Sequence, residues 1–466
     1  MKMWMRRRLL RGTPIAPEPH RPWGVSVRVV AGLMGMMALG GCQRAPEPPA
    51  PLSPGVFRAV LETPGGELPF GLEIAEESSP ASGEGAPPTR KTVLFLINGP
   101  ERVRVPEVTI TAGVLKADMP GYENELVLEE REGQLTGTVK ILRKRGEWKT
   151  LSLRGTRGQT HRFFPEHGAV APDTAQDSSA SLPAPEKLPE AAGRWSVVFT
   201  DSEGKPSAGI AELQQNGRLV TGTVLTPTGD HRFLAGEVQG NELLLSRFDG
   251  GTAFLYRLKF STSGRQLQGE VYYGNWGRDA VLARRDANAV LPDADTLTHL
   301  RNPGARFDFT FPDLEGNPVS LSDTLFDDKV VVVMLGGSWC PNCHDEAEFM
   351  APFVRERAEQ GLAAVMLMFE HFGDMPQAVQ AVKRFRDEYR ITYPLLIAGT
   401  SDKDDAGSRM PQLDRIYAFP TTLVIDRKGR VRKIHTGFNG PATGVKYEEF
   451  KREFTATIDK LLAERA

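Results

Sequence analysis

The chain has 466 residues, of which 40% are hydrophobic and 25% are charged, enough for about three globular domains of ordinary size. Its formal net charge of -2 leaves no overall basic field of the kind that favours nucleic-acid binding, so we expect no nucleic-acid partner. Because the chain has only three cysteines, a framework of several structural disulfides is excluded.

Residues 1–42 have the features of an export signal. Arginines precede an apolar run at 29–39, which is too short to span a bilayer and is typical of the core of a signal peptide. The run ends in LGGC at 39–42, which resembles the lipobox of bacterial lipoproteins, in which the cysteine is lipidated after cleavage. We therefore predict that Cys42 carries a lipid anchor and that the protein lies in the cell envelope, facing the periplasm or the exterior. Gln43 after it leaves the inner leaflet of an outer membrane open as the location.

A Pro-rich tether at 43–56 is followed by two segments that we predict to be small all-β domains, at 57–164 and 193–285. Both contain short runs of Val, Ile, Leu and Thr separated by glycine, a pattern typical of a sandwich or a barrel. Residues 165–192 are rich in Pro, Ala and Ser and are typical of a linker. In the second domain the predicted strands are 195–200, 232–238, 243–248 and 266–273.

Five aromatic residues of the second β domain are candidates either for its core or for a binding face. Because alternating aromatics in strands are usually buried, we expect a core role for all five, namely Trp195, Phe233, Phe248, Tyr256 and Trp276. The sequence GQLTGTV at 133–139 is echoed by GRLVTGTV at 217–224. Internal duplication and coincidence are equally good explanations of this echo.

From residue 305 to 466 the pattern changes to strands alternating with helices, which predicts an α/β domain. The predicted strands are 307–311, 330–335, 362–369, 393–397, 421–426 and 431–436. The predicted helices are 341–360, a helix opened by Pro376, a short helix at 411–417, and a final amphipathic helix that carries Tyr447, Phe450, Phe454, Ile458 and Leu461 at helical spacing. A polar segment at 401–408 is expected to be a loop.

The sequence WCPNC at 339–343 places two of the three cysteines two residues apart. Pro341 suits the first position of a helix, so Cys340 would be the N-cap, where unpaired N–H groups and the helix dipole favour a thiolate. Cys343 in the first turn would bring its sulfur back to close a disulfide. Asp345 and Glu346 oppose a neighbouring thiolate, so the direction of the net pKa shift of Cys340 stays open.

A metal site is the alternative for this cysteine pair. A closed zinc site needs about four ligands, and the chain has no second Cys-x-x-Cys pair. His344, His371 and His435 would have to converge on the cysteines, whereas single histidines in such positions are more often solvated or satisfied in the core. We therefore predict no metal and no other cofactor.

The cysteine motif is followed far downstream by FPTTLVID at 419–426 and by Gly429. Together these motifs resemble the thioredoxin superfamily, and in particular its exported TlpA/ResA-like thiol-disulfide oxidoreductases. The resemblance covers residues 305–466. The predicted fold is therefore multidomain, with two small all-β domains followed by a C-terminal thioredoxin-like α/β domain.

The resemblance also implies roles for individual residues. Cys340 would be the attacking thiolate and Cys343 the resolving thiol. Pro420 would be a cis-proline beside the active site, a form that sequence alone does not predict because most X–Pro bonds are trans. Trp339, Phe419 and Pro420 would contact the bound substrate.

A proton acceptor is a further implication of the resemblance. Thioredoxin has a buried Asp six residues before its first cysteine, where this chain has Met334. In the TlpA/ResA-like branch a glutamate at the end of the next strand serves instead, and Glu370 matches that position. We expect Glu370, with a pKa raised by burial, to take the proton from Cys343. A solvated glutamate at the end of a strand is the alternative.

The sequence thus predicts a membrane-anchored enzyme that reduces disulfides of exported proteins, with apocytochrome c as the substrate class that the resemblance suggests. A membrane electron donor of the DsbD/CcdA type would restore the dithiol. One alternative is an envelope lipoprotein that binds a ligand or metal through its β domains, while the thioredoxin-like domain only docks. A peroxiredoxin is less favoured, because Val333 and Gly337 stand where the Pro-x-x-x-Thr-x-x-Cys pattern has Pro and Thr.

Overall fold

The structure is a computed structural model and describes residues 52–79, 89–159, 161–165 and 188–464. The predicted export signal and its Cys42 lie outside the described residues, as do most of the tether and most of the linker. All the described residues belong to one compact unit.

The first β domain is a nine-stranded antiparallel sheet that curls into an almost closed barrel, called the first barrel below. Its strands are β1 (Gly55–Thr63), β2 (Gly66–Ser79), β3 (Thr89–Asn98), β4 (Glu101–Val105), β5 (Glu107–Thr111), β6 (Val114–Asp118), β7 (Glu125–Arg131), β8 (Gln134–Arg143) and β9 (Glu147–Arg157). Their order in the sheet is β4-β3-β2-β1-β9-β8-β7-β6-β5. The two edge strands, β4 and β5, are neighbours in the chain and are separated only by Pro106.

The second β domain, called the second barrel, closes completely. Its strands are β10 (Gly193–Thr200), β11 (Pro206–Asn216), β12 (Leu219–Thr226), β13 (Gly229–Asp230), β14 (Leu234–Gln239), β15 (Glu242–Phe248), β16 (Ala253–Phe260), β17 (Gln266–Tyr273) and β18 (Gly277–Arg285). The order is β11-β10-β18-β17-β16-β15-β14-β12-β13, and β11 also pairs with β12. This last pairing joins the two ends of the sheet, so only the two-residue β13 is left at an edge.

The two barrels share a hydrophobic cluster. Phe248, Ala253 and Leu255 of the second barrel belong to the cluster that fills the first barrel. Of the five aromatic residues predicted to be core, Trp195, Phe248 and Tyr256 are buried, which confirms the prediction for these three. The other two are only partly buried: Trp276 packs against the cluster of the first barrel, whereas the prediction is wrong for Phe233.

The sequence echo between the barrels has a physical cause. A Cβ atom added to Gly137 in β8 would lie 1.9 Å from the carbonyl oxygen of Val127 on the adjacent strand. A Cβ atom added to Gly222 in β12 would lie 2.1 Å from the carbonyl oxygen of Glu212. Both strands therefore require glycine where a neighbouring backbone comes close. The two similar sequences lie in strands of different rank, since β8 is the eighth strand of the first barrel and β12 is the third strand of the second barrel. The echo therefore does not relate corresponding strands of the two barrels.

The C-terminal domain has a five-stranded mixed sheet in the order β23-β22-β21-β24-β25. The strands of this sheet are β21 (Val330–Gly336), β22 (Leu362–Glu370), β23 (Leu395–Thr400), β24 (Thr421–Ile425) and β25 (Val431–Thr436). Two further strands, β19 (Thr310–Pro312) and β20 (Pro318–Ser320), form a separate hairpin before the sheet. Its helices are α1 (Pro341–Arg357), α2 (Met375–Tyr389), α3 (Lys403–Arg409) and α4 (Val445–Ala463). Strands β21, β22 and β23 are parallel, and β24 and β25 are antiparallel to their neighbours. Among the described residues no helix is long and apolar enough to cross a membrane.

The apolar patterns explain how this domain is layered. All seven residues of β21 are buried, as expected for a central strand that is covered on both faces. The apolar side of α1, which includes Ala347, Met350 and Val354, is also buried. A single 3-10 turn follows α1, and Gly361 ends it with φ at 95°, a backbone conformation that favours glycine. These elements set the direction in which α1 leaves the end of β21.

Four predicted segments differ from the structure. The segment at 411–417 is not helical, and the helix lies instead at Lys403–Arg409, because the Asp402 side chain caps it by accepting hydrogen bonds from the N–H groups of Asp404 and Asp405. The predicted loop at 401–408 is therefore mostly α3. The strand predicted at 393–397 begins at Leu395, directly after Pro394, and the strand predicted at 307–311 is only the short β19.

We predict that Gly137→Ala lowers the free energy of unfolding by about 1–3 kcal/mol, because the added methyl group forces the strand away from the Val127 carbonyl. Gly407→Ala is the matched control, since nothing lies within 4 Å of a Cβ at that helical position. Urea unfolding of both variants measures the difference. Equal stability of the two variants would contradict the close approach in the first barrel.

Candidate active site

The cysteine pair lies at the start of α1, directly after the loop that leaves β21. Cys340 and Cys343 form a disulfide, with Cα atoms 5.2 Å apart. Cys340 is the N-cap of α1 and Pro341 stands at the start of the helix, as predicted. The backbone N–H of Cys343 donates to Cys340 Sγ at 3.3 Å. The sulfur of Cys340 therefore already accepts a hydrogen bond from the helix N-terminus, an arrangement that stabilises a thiolate.

The two sulfur atoms have different surroundings. Cys340 is 3% exposed and Cys343 is fully buried. A Cβ atom added to Gly336, the last residue of β21, would lie 3.1 Å from Cys343 Sγ and 2.5 Å from the end of the Met366 side chain. Cys343 is thus packed in the apolar interior, whereas Cys340 keeps a small exposed fraction.

The residues predicted to contact substrate surround Cys340. The Phe419–Pro420 peptide bond is cis, as the resemblance implies. The carbonyl oxygen of Phe419 lies 3.5 Å from Cys340 Sγ. The Trp339 indole N–H donates to the carbonyl of Phe369 at 2.8 Å, and its ring stacks on His371 with centroids 4.4 Å apart. Their role in substrate binding stays a prediction, but the structure places all of them beside the disulfide.

Glu370 is buried at the end of β22 and is not a solvated residue. Its two carboxylate oxygens accept hydrogen bonds from Ser338, one from the backbone N–H at 2.9 Å and one from the hydroxyl at 2.7 Å. Burial raises the pKa of Glu370 to about 7, against the opposing effect of these two donors. Through Ser338 the carboxylate holds the loop that precedes Cys340.

A second buried carboxyl, Glu346, was not predicted as a proton acceptor. It stands one helical turn after Cys343, and one oxygen accepts a hydrogen bond from the Thr422 hydroxyl. The other oxygen has no hydrogen-bond partner among the described residues. Burial raises the pKa of Glu346 to about 7. Its spacing of three residues from Cys343 on a predicted helix was the available sequence signal.

The three histidines considered as metal ligands have separate partners. His344 lies between the carbonyl of Ser338 and the hydroxyl of Tyr389. His371 contacts Ser401 at 2.7 Å, and His435 contacts Asp295 at 2.7 Å. Within the described ranges no group of three or more His, Cys, Asp or Glu side chains is placed to hold a metal.

Both barrels contact the first turn of α1. Asn342, which stands between the two cysteines, donates to Asp230 of the second barrel. Arg232 of the same barrel pairs with Asp345 at 2.9 Å. Tyr122 of the first barrel stacks on the His344 ring with centroids 3.9 Å apart. These contacts join segments that are far apart in the chain, so sequence reasoning missed them.

Comparisons with known proteins match this part of the chain. The Redoxin family matches residues 303–449. Thiol-disulfide oxidoreductase ResA of Halalkalibacterium halodurans is 27% identical over 169 residues, which are 36% of this chain and 78% of that protein. The thioredoxin-like protein YneN of Bacillus subtilis is 30% identical over 130 residues, 28% of this chain and 68% of YneN. ResA of Bacillus thuringiensis is 27% identical over 147 residues, 32% of this chain and 75% of that protein.

We predict that Glu346→Gln stabilises the protein above pH 7 but not near pH 4. In the unfolded chain this glutamate ionises near its ordinary pKa, whereas in the folded protein its pKa is about 7. Between these values the unfolded state binds fewer protons, so the wild type loses stability as pH rises through the window. Because glutamine does not ionise, the gain at pH 8 should be roughly 1–3 kcal/mol in urea unfolding.

Glu370→Gln is the matched control for this measurement. Both oxygens of Glu370 accept from Ser338, and the amide NH₂ of a glutamine cannot accept. We therefore expect no gain at pH 8 for this variant. Equal behaviour of the two variants would show that the different hydrogen bonding of the two carboxyls has no effect on stability.

Proposed function

We propose that this protein, which belongs to the thioredoxin-like Redoxin family and is a TlpA/ResA-like thiol-disulfide oxidoreductase, reduces disulfides of exported proteins. In this proposal it acts from a lipid anchor in the cell envelope. The observation that carries the proposal is the Cys340–Cys343 disulfide at the N-terminus of α1, beside the Phe419 carbonyl. Of the two cysteines only Cys340 has any exposed surface, which makes it the one that meets a substrate disulfide first.

The first step is attack by the Cys340 thiolate on one sulfur of a substrate disulfide. A bond forms between Cys340 Sγ and that sulfur, the substrate S–S bond breaks, and the other substrate sulfur leaves as a thiolate that takes a proton. The N–H of Cys343 lies against Cys340 Sγ and stabilises the attacking anion. The carbonyl of Phe419, 3.5 Å from Cys340 Sγ, and the partly buried ring of Trp339 border the position where the substrate sulfur would arrive.

In the second step Cys343 loses its proton and attacks Cys340 Sγ. The Cys340–Cys343 disulfide forms, and the first substrate sulfur is released and protonated, so two electrons and two protons have passed to the substrate. Glu346 and Glu370 are the candidate proton acceptors, because both are buried and both have pKa values of about 7. Glu346, on the same helix as Cys343 and with one unpaired oxygen, is the better placed for this step.

The resulting disulfide must be reduced before another turnover. An exported protein has no access to cytosolic thiols, so the electrons would come from a membrane protein dithiol of the DsbD/CcdA type by the reverse exchange. A lipid at Cys42 would keep the domain near such a donor. The Pro-rich tether at 43–56 suits this arrangement because it separates the folded domains from the predicted lipid anchor.

We predict that Cys343→Ser traps a mixed disulfide between Cys340 and an oxidised substrate protein such as insulin, because no thiol remains to resolve it. Cys340→Ser, in which only the buried sulfur remains, should trap at least about tenfold less. All variants carry Cys42→Ser, so that any adduct lies at the pair. Mass spectrometry of the unreduced protein locates the adduct. Equal trapping by the two variants, or none by either, would contradict the proposed roles.

A further inference from the structure

The second barrel contacts the residue that stands between the two redox cysteines. Asn342 Nδ2 lies 3.2 Å from the backbone oxygen of Asp230 and 3.3 Å from its Oδ1. A Cβ atom added to Gly229 would lie 2.4 Å from Asn342 Oδ1. The loop of the second barrel therefore lies directly against the cysteine motif, with no gap between the two domains at this point.

Burial raises the pKa of the Asp230 carboxyl, whereas its hydrogen bonds oppose that rise. It is 5% exposed, and it accepts hydrogen bonds from the N–H of Gly440 at 2.8 Å, the N–H of Arg232 at 2.7 Å and the Thr223 hydroxyl at 3.2 Å. Since all these partners donate, the charged form, which only accepts, is the form that they stabilise. A buried acidic side chain thus contacts Asn342, which stands two positions after Cys340 in the sequence.

A positive charge from the same loop lies on the other side of this turn. Arg232 pairs with Asp345 of α1 at 2.9 Å, with Asp249 at 2.6 Å and, more distantly, with Glu101 of the first barrel at 3.5 Å. Its backbone has φ at 52°, a conformation rare for a residue with a side chain. The loop is therefore held in an unusual shape that directs the guanidinium toward α1.

We propose that Asp230 and Arg232 of the second barrel are positioning residues that set, with opposite sign, how readily Cys340 forms its thiolate. Asp230 disfavours the anion and Arg232 favours it, because Cys340 is buried and a charge acts more strongly on a buried group than on an exposed one. The inference rests on the proposed function, in which Cys340 is the attacking sulfur. It assigns the second barrel a part in the redox site.

Other charged and titratable groups also surround the pair and are unchanged in the comparison below. They are His344, Asp345 and Glu346 on α1, Glu370 and His371 at the end of β22, Glu101 and Tyr122 of the first barrel, Arg247 and Asp249 of the second barrel, and Tyr389 of α2. These residues are the same in all the variants. Loss of Arg232 also raises the pKa of its partners Asp345 and Asp249, so Asp230→Asn is the cleaner measurement and Arg232→Lys is the control that keeps those ion pairs.

The test is the rate at which iodoacetamide alkylates Cys340 in the reduced full chain with Cys42→Ser, followed from pH 5 to 10 by peptide mass spectrometry. We expect Asp230→Asn to react about threefold or more faster than wild type at pH 7, and Arg232→Gln about threefold or more slower. Arg232→Lys keeps the positive charge and should stay within about twofold of wild type. All four proteins should reach a similar rate at high pH, where the thiolate is fully formed.

A merely structural role of the loop gives a different result. If the substitutions only detach the barrel, Cys340 becomes more accessible in both variants, and both react faster at every pH, which would overturn the inference. Unchanged rates in both variants would also overturn it. If Arg232→Gln does not fold, Asp230→Asn decides alone, because a rate at pH 7 equal to or below that of wild type contradicts the assigned sign.

The result separates this inference from the proposed function. Trapping of a mixed disulfide by Cys343→Ser together with unchanged alkylation in the barrel variants overturns the inference alone. Absence of trapping overturns the proposed function and, with it, the inference.

Discussion

The enclosure of the first turn of α1 by both barrels is the constraint on which the rest of the site depends. Three contacts carry this enclosure: Asn342 donates to Asp230, His344 stacks on Tyr122, and Asp345 pairs with Arg232. Burying Asp345 is costly unless its charge is compensated, and Arg232 supplies that compensation. The barrels and the redox helix are therefore coupled through buried charge as well as through apolar contact.

The buried carboxyl groups of this site differ in position from that of thioredoxin. The Asp that thioredoxin buries beside its cysteines is replaced by Met334, and the carboxyls of this site lie instead on α1 and at the end of β22. Asp345, Glu346 and Glu370 all have pKa values raised to about 7 by burial. The ionisation of the site near neutral pH thus depends on how completely water is kept out, and the barrels contribute to that exclusion.

Much of the C-terminal domain could be predicted from the sequence, because local patterns carry the information. The run of valines at β21, the proline after Cys340 and the glycine after α1 each specify an element or its end. The helix at Lys403–Arg409 was missed because its polar composition is typical of a loop, and only the Asp402 cap makes it a helix. Burial of Glu346 and the docking of Asp230 on Asn342 depend on contacts between distant segments, which no local pattern encodes.

The proposed function requires that Cys340 and Cys343 form a reversible two-electron couple. The most direct test equilibrates the full chain, carrying Cys42→Ser, in a series of glutathione redox buffers. The mass of the protein after alkylation then gives the number of free cysteines in each buffer. We expect a single transition from a protein with no alkylated cysteine to one alkylated at both positions. A protein that shows no transition in any buffer, or that gains one alkyl group only, would contradict the assignment of the pair as the redox centre.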